Sequence, residues 1–159
     1  TSRCRRRRAS MSDLEAAERA LVVAEARSWL GTPYHHRGRI KGAGVDCAML
    51  LAEVYRAAGL IPRLEIGYYP MDWHLHRDTE QYLGWVERHA RQVEAPQAGD
   101  VVLFRVGRCF SHGGIVLAWP EILHAYLGQG CVLGNVTAEP RLGRREQRFF
   151  SCWPREPAP

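Results

Sequence analysis

Residues 47–58, CAMLLAEVYRAA, are apolar on nearly all sides of a helical wheel, and no other stretch limits the fold of this chain so strongly. A surface helix keeps one polar face, so a helix that lacks one has to be enclosed by other elements. Gly59 ends the pattern. The stretch before it, GTPYHHRGRIKGAGVD, places Gly31, Pro33, Gly38, Gly42 and Gly44 within fourteen residues, which predicts a loop with little regular structure that delivers the chain to Asp46.

The partners that could enclose such a helix lie on both sides of it. Upstream, Leu14, Ala17, Leu21, Val22 and Trp29 recur at helical spacing, with Ser12 as the expected cap, Glu15 three residues on, and Gly31 at the end. Downstream, LIPRLEIGYYPMDW is irregular. DTEQYLGWVERHARQV predicts a third helix through Tyr82, Leu83, Trp85, Val86 and His89, capped by Asp78 or Thr79. After Pro96 the character changes to short β-type runs, DVVLFRV, HGGIVLAW, EILHAYL, GCVLGNV and EQRFFSCW, which read as an antiparallel meander. Helices first and strands afterwards predict an α+β domain, with the Cys-bearing helix packed on a sheet of about five strands.

At 159 residues and 46% hydrophobic composition the chain suits one domain, expected over 11–153, with a short tail at 154–159. Apolar runs break off within about eight residues, against the roughly twenty a membrane helix needs, so no membrane span is expected. The formal charge of +5 is local. Arg3, Arg5, Arg6, Arg7 and Arg8 precede every acidic residue, and taking these five from 22 basic residues leaves 17 against 17 acidic ones. A neutral body does not argue for phosphate binding, and nucleic acid is not an expected partner. Positions 1–10 read as a disordered basic extension without the apolar stretch of a secretory signal. Met11 is the expected natural start, a solvated arm and a nucleic-acid or anionic-surface anchor being the alternatives.

Cys4, Cys47, Cys109, Cys131 and Cys152 are odd in number and irregular in spacing, with no C-x-x-C pair, so a disulfide framework is not expected. Cys47 stands apart. It opens the enclosed helix, where unpaired amides and the helix dipole favour a thiolate, and Asp46 is the expected N-cap. The plain alternative is a small buried hydrophobe, the common role of a free Cys. A nucleophile needs a base, and His112 in CFSHGGIVLAW opens an apolar strand and is followed by Gly113 and Gly114, which permit close backbone approach. His124 in EILHAYL lies twelve residues on. If the two strands form a hairpin with an odd-length loop centred near Ala118, the two histidines face each other on one side of the sheet, and His124 can orient His112 as a third triad member. An even loop would put them on opposite faces.

A rival grouping of Cys109, His112, His124 and Cys131 as a zinc site is weakened by its spacing, since Cys109 and His112 point to opposite faces of an extended strand. His35, His36, His74 and His76 read as solvated loop residues, so no metal is expected. Tyr34 in GTPY is near enough in sequence for its hydroxyl to reach a tetrahedral oxyanion beside the amide of Cys47, with plain packing as the alternative.

GTPYHHRGRIKGAGVDCAMLLAEVYRAAG, APQAGDVVLFRV, SHGGIVL and LHAYLGQGCV together resemble the NlpC-type papain-like cysteine peptidases, over roughly Ala24 to Trp153. GTPY, KGAGVDC and LHAY look closest to the branch found in phage tails and gene-transfer particles. The resemblance implies Cys47 as nucleophile, His112 as base, His124 as the third polar member and Tyr34 as the hydroxyl beside the thiol. It also implies cleavage of the D-γ-glutamyl–diamino acid amide in peptidoglycan stem peptides without a cofactor. The expected partners are that peptide and phage-like tail hub or baseplate proteins. The expected location is a tail particle assembled in the cytoplasm and acting at the cell wall. A catalytically silent tail-tip component and an amidase of the same superfamily are the alternative readings. The Ser-Gly pair usual after the catalytic Cys is Ala48-Met49 here, and Met49 is expected to reshape the cleft.

Overall fold

The structure is a computed structural model and describes residues 8–67 and 81–154. Helix α1 (Met11–Ser28) leads through a small hairpin, β1 (Arg39–Ile40) and β2 (Gly44–Val45), into α2 (Cys47–Ala57). A short helix, α3 (Gln81–Glu87), precedes β3 (Arg91–Val93), β4 (Val101–Val106), β5 (Cys109–Ala118), β6 (Glu121–Tyr126) and β7 (Gly130–Asn135). One turn of helix, α4 (Pro140–Gly143), and a last strand, β8 (Gln147–Ser151), follow. Strands β3 to β8 form one antiparallel sheet in the order β3-β8-β4-β5-β6-β7. The α+β class and the Cys helix on an antiparallel sheet are as expected from sequence, with six strands in the main sheet.

The sixth strand comes from the third predicted helix. That helix stops at Glu87, and Arg91–Val93 pairs with Phe149–Ser151 at the sheet edge instead of continuing it. The expected caps Asp78 and Thr79, together with His74, His76 and residues 1–7, lie outside the described residues.

Helix α2 packs on β5 and β6 and is enclosed as its composition requires, with Leu50 and Val54 fully buried. The long apolar β-runs are explained by burial on both faces. In β4, Val101 and Leu103 join the core under the helices, while Val102 and Phe104 join a second cluster with Val116, Ile122, Val136 and Leu142 on the other face. Two clusters in one sheet remove the alternation a half-exposed strand would show. Helix α4 supplies Leu142 to that second cluster.

Helix α1 differs in detail from expectation. Ser10, not Ser12, caps it, accepting from the Asp13 amide at 3.1 Å while Asp13 accepts from the Ser10 amide at 3.0 Å. Val22, Ala26 and the adjoining Trp29 are buried, whereas Leu14 and Leu21 are exposed. The buried face is set by α2 and β5 beside it, which take the Val22–Ala26 side of a pattern with little amphipathic contrast. An ion pair fixes its position: Arg19 meets Asp100 at 2.8 Å, donates to the Ala98 carbonyl at 2.9 Å and stacks its guanidinium on the Trp153 ring at 4.1 Å.

Candidate active site

Asp46 shapes the start of α2. One carboxylate oxygen accepts from the Met49 amide at 2.9 Å, the N-cap bond expected from sequence. The other accepts from the Arg37 amide at 2.8 Å, which pins the glycine-rich loop to the helix end. The His36 ring also approaches, at 3.9 Å. The loop returns Tyr34 to a bridge with Val45, so Tyr34, His36, Asp46 and Cys47 line one cleft together with His112 of β5 and Tyr126 of β6. His36, read from sequence as a solvated loop residue, is part of this wall.

The sulfur of Cys47 faces the start of the His112–Gly114 segment, with the Ser111 carbonyl 3.6 Å away. Amide groups of Gly113, Ala48 and Cys47 favour the thiolate, as the helix start predicts. Two stronger influences oppose them: burial first, and the negative charge of Asp46 second, push the thiol up to about 12. Burial likewise holds His112 down to about 3, with the neighbouring His124 adding to it, and His124 down to about 4. Burial thus disfavours the charged form of both the thiol and the imidazole, opposing the thiolate that the helix start favours.

His112 Nε2 and His124 Nδ1 are 2.8 Å apart. With Nε2 against His124, Nδ1 is the ring nitrogen of His112 that remains for another partner. The register that produces this contact combines an even loop with a bulge. The turn between β5 and β6 holds two residues, Trp119 and Pro120, an even loop that would separate the histidines. A bulge between Val116 and Ala118 adds one residue on β5 and restores the shared face. The pairs Ile115↔Leu123 and Val116↔Ile122 place Gly114, not His112, across from His124, so the two rings meet diagonally. Gly114 leaves that diagonal open, since a Cβ there would lie 3.4 Å from the Cβ of His124 and 3.0 Å from Ile122.

Gly113 has a different neighbour. A Cβ on it would lie 2.5 Å from the hydroxyl of Tyr82, which donates to the Cys47 carbonyl at 3.0 Å. Tyr82 thus ties α3 to the first residue of α2, a function that its helical spacing, read only as core, does not reveal. Tyr34 is partly buried, and burial, then the proximity of Cys47 and Asp46, raise its phenol well above the usual value, so it stays a donor at neutral pH. Ala48 lines the cleft as expected of the position after the Cys, but Met49 does not: it is 2% exposed and packs in the core. The zinc grouping does not assemble: Cys109 and Cys131 are buried, and among the described residues no cluster of three metal-ligating side chains forms.

A family model described as NlpC/P60 family matches residues 31–142, which span every residue of the cleft discussed so far. Among solved structures, the NlpC/p60 domain of the peptidoglycan hydrolase SagA aligns with a TM-score of 0.57 at 22% identity, covering 82% of this chain and 96% of that one. An NlpC/P60 family protein from Bacillus cereus ATCC 10987 aligns at 0.59 with 18% identity, covering 82% of this chain and 39% of that one. NlpC2 from Trichomonas vaginalis aligns at 0.58 with 16% identity, over 84% and 46%. The chain thus spans nearly all of the SagA domain but less than half of the two longer proteins. No curated protein sequence matches it.

Proposed function

We propose that this chain, which belongs to the NlpC/P60 family and is a cysteine hydrolase, cleaves the amide between D-γ-glutamate and the diamino acid of peptidoglycan stem peptides. The observation that carries the reading is the 2.8 Å contact between His112 Nε2 and His124 Nδ1 in the cleft that Cys47 opens from the start of α2. It supports Cys47 as nucleophile, His112 as acid and base, and His124 as the group that orients His112.

The reaction follows from that arrangement. As a substrate carbonyl approaches the sulfur, the Cys47 proton passes to His112 Nδ1 and the thiolate attacks the carbon. Charge developing on the oxygen meets the amide of Cys47 and the Tyr34 hydroxyl. His112 returns the proton to the leaving amine, breaking the C–N bond and leaving a thioester. It then takes a proton from water, whose attack releases the acid and restores the thiol. Asp46 holds the cleft loop on the helix end through its bond to the Arg37 amide.

The domain proposed for this activity runs from 11 to 153. Its carriage on a phage-like tail that brings it to the cell wall is supported by the GTPY, KGAGVDC and LHAY blocks. Digestion of purified muropeptides by the wild type and by Cys47→Ala, followed by mass spectrometry, tests the activity. Cleavage at the D-γ-glutamyl bond by the wild type alone is expected. No cleavage by the wild type would favour a structural role, and equal cleavage by both would refute the nucleophile.

A further inference from the structure

The cleft holds a cation that the reaction above does not use. Arg145, between α4 and β8, is partly buried and lines the cleft with His112, Tyr126 and Leu142. Its Nε donates to the Arg141 carbonyl at 2.8 Å and an Nη to the Arg105 carbonyl at 3.4 Å. These carbonyls orient the guanidinium without neutralising it. The nearby acids are engaged elsewhere: Glu146 with Arg105 at 3.0 Å and Arg148 at 3.8 Å, and Glu139 with Arg141 at 2.8 Å. Among the described residues no carboxylate pairs with Arg145. Its charge reaches His112, where it adds to burial and to His124 in keeping the imidazole neutral.

A guanidinium that lines a cleft with no carboxylate paired to it is suited to an anion that arrives with the substrate, because its planar fork matches a carboxylate. The chemistry says where that anion sits. The carbonyl carbon must reach the Cys47 sulfur, and the leaving nitrogen must reach His112 to take up its proton. Whatever the leaving nitrogen carries therefore extends from His112 into the cleft that Arg145 also lines, near enough for its charge to act on the His112 ring. We propose that Arg145 is a specificity residue that binds a free carboxylate on the leaving-group side of the cleaved peptide. This rests on the hydrolase reading and narrows it to one substrate class. A diamino diacid carries such a carboxylate at the end of its side chain, and a stem peptide that ends at the diamino acid carries one at its C terminus. An internal lysine carries neither.

Three synthetic stem peptides with one common acyl half test the assignment. The first has the diamino diacid and an amidated C terminus, the second a C-terminal lysine with a free carboxylate, and the third a lysine with an amidated C terminus. For the wild type, KM for the first or the second falls about ten- to a hundredfold below KM for the third, the range of a charge-assisted hydrogen bond. Whichever peptide shows it identifies the carboxylate being read. In Arg145→Gln that ratio collapses towards unity, and Arg145→Lys keeps part of it. Equal KM for all three peptides in the wild type, or a ratio that survives Arg145→Gln, would overturn the assignment while leaving the hydrolase reading standing. Calorimetric binding to Cys47→Ala separates the converse case: peptides that bind in the expected ranking but are never cut by the wild type contradict the hydrolase reading and support the anion site.

Discussion

Two sets of buried polar side chains sit at different places on the same sheet and are built in opposite ways. Around Asp100, at the start of β4, each charge has an answer: Arg19 pairs with it at 2.8 Å, the Gln97 amide donates to it at 2.8 Å, and Trp153 covers the guanidinium. Around His112 burial disfavours the charged imidazoles, and their polar atoms are only partly answered. His124 is fully buried, and its Nε2 has no hydrogen-bond partner among the described residues, against the backbone of Gly134. Pairing of opposite charges locks the first set in place. The second set holds its polar groups where burial costs them solvation. The contrast separates what holds the fold from what the proposed reaction uses.

Breaking the two sets should give different failures. His112→Ala is expected to lower kcat by roughly 10²- to 10⁴-fold, with a thermal midpoint near that of the wild type; comparable loss of both would mean that His112 is a structural residue. Asp100→Asn should do the reverse. Removing the charge opposite Arg19 costs about 3 kcal/mol in denaturant titrations, and the protein that remains folded keeps its kcat.

The acid response sharpens the comparison. Both histidines have folded values below the ordinary 6.5, about 3 for His112 and about 4 for His124. Below pH 6.5 the unfolded chain binds protons that the folded chain refuses, so stability present above 6.5 is lost progressively as pH falls towards 4. For His124 the loss between pH 6.5 and 5 is on the order of 1–2 kcal/mol. Chemical denaturation of the wild type and His124→Gln at both pH values checks it: the variant should lose less, and equal losses would mean that His124 is not held neutral by burial. The smallest effect is expected for Tyr34→Phe, about tenfold in kcat, since the Cys47 amide still supports the oxyanion. An unchanged kcat would return Tyr34 to plain packing.

The parts legible in sequence are those decided locally. An all-round apolar helix has one solution, burial, and Asp46 before it caps as its chemistry dictates. The shared face of His112 and His124 was legible only in its outcome. The sequence leaves an odd and an even loop both open, and the fold uses a two-residue turn and a bulge, which depends on strand partners that no local pattern records. The exposed Leu14 and Leu21 and the core position of Met49 have the same origin, since neighbouring elements choose which side of a helix is covered. Arg145 was not legible at all. Among several arginines of an exposed-looking segment, its place in the cleft follows from carbonyls of Arg141 and Arg105 that only the folded chain brings together.

The proposed reaction requires Cys47 to form a thioester with the acyl half of the peptide. Rapid acid quenching of the wild type during turnover of a stem peptide, followed by peptide mapping, tests this directly. The acyl mass is expected on the fragment containing Cys47 and absent in Cys47→Ala. The same mass on a fragment containing Cys109, Cys131 or Cys152, or product formed with no acyl adduct at saturating substrate in His112→Ala as well as in the wild type, would contradict it.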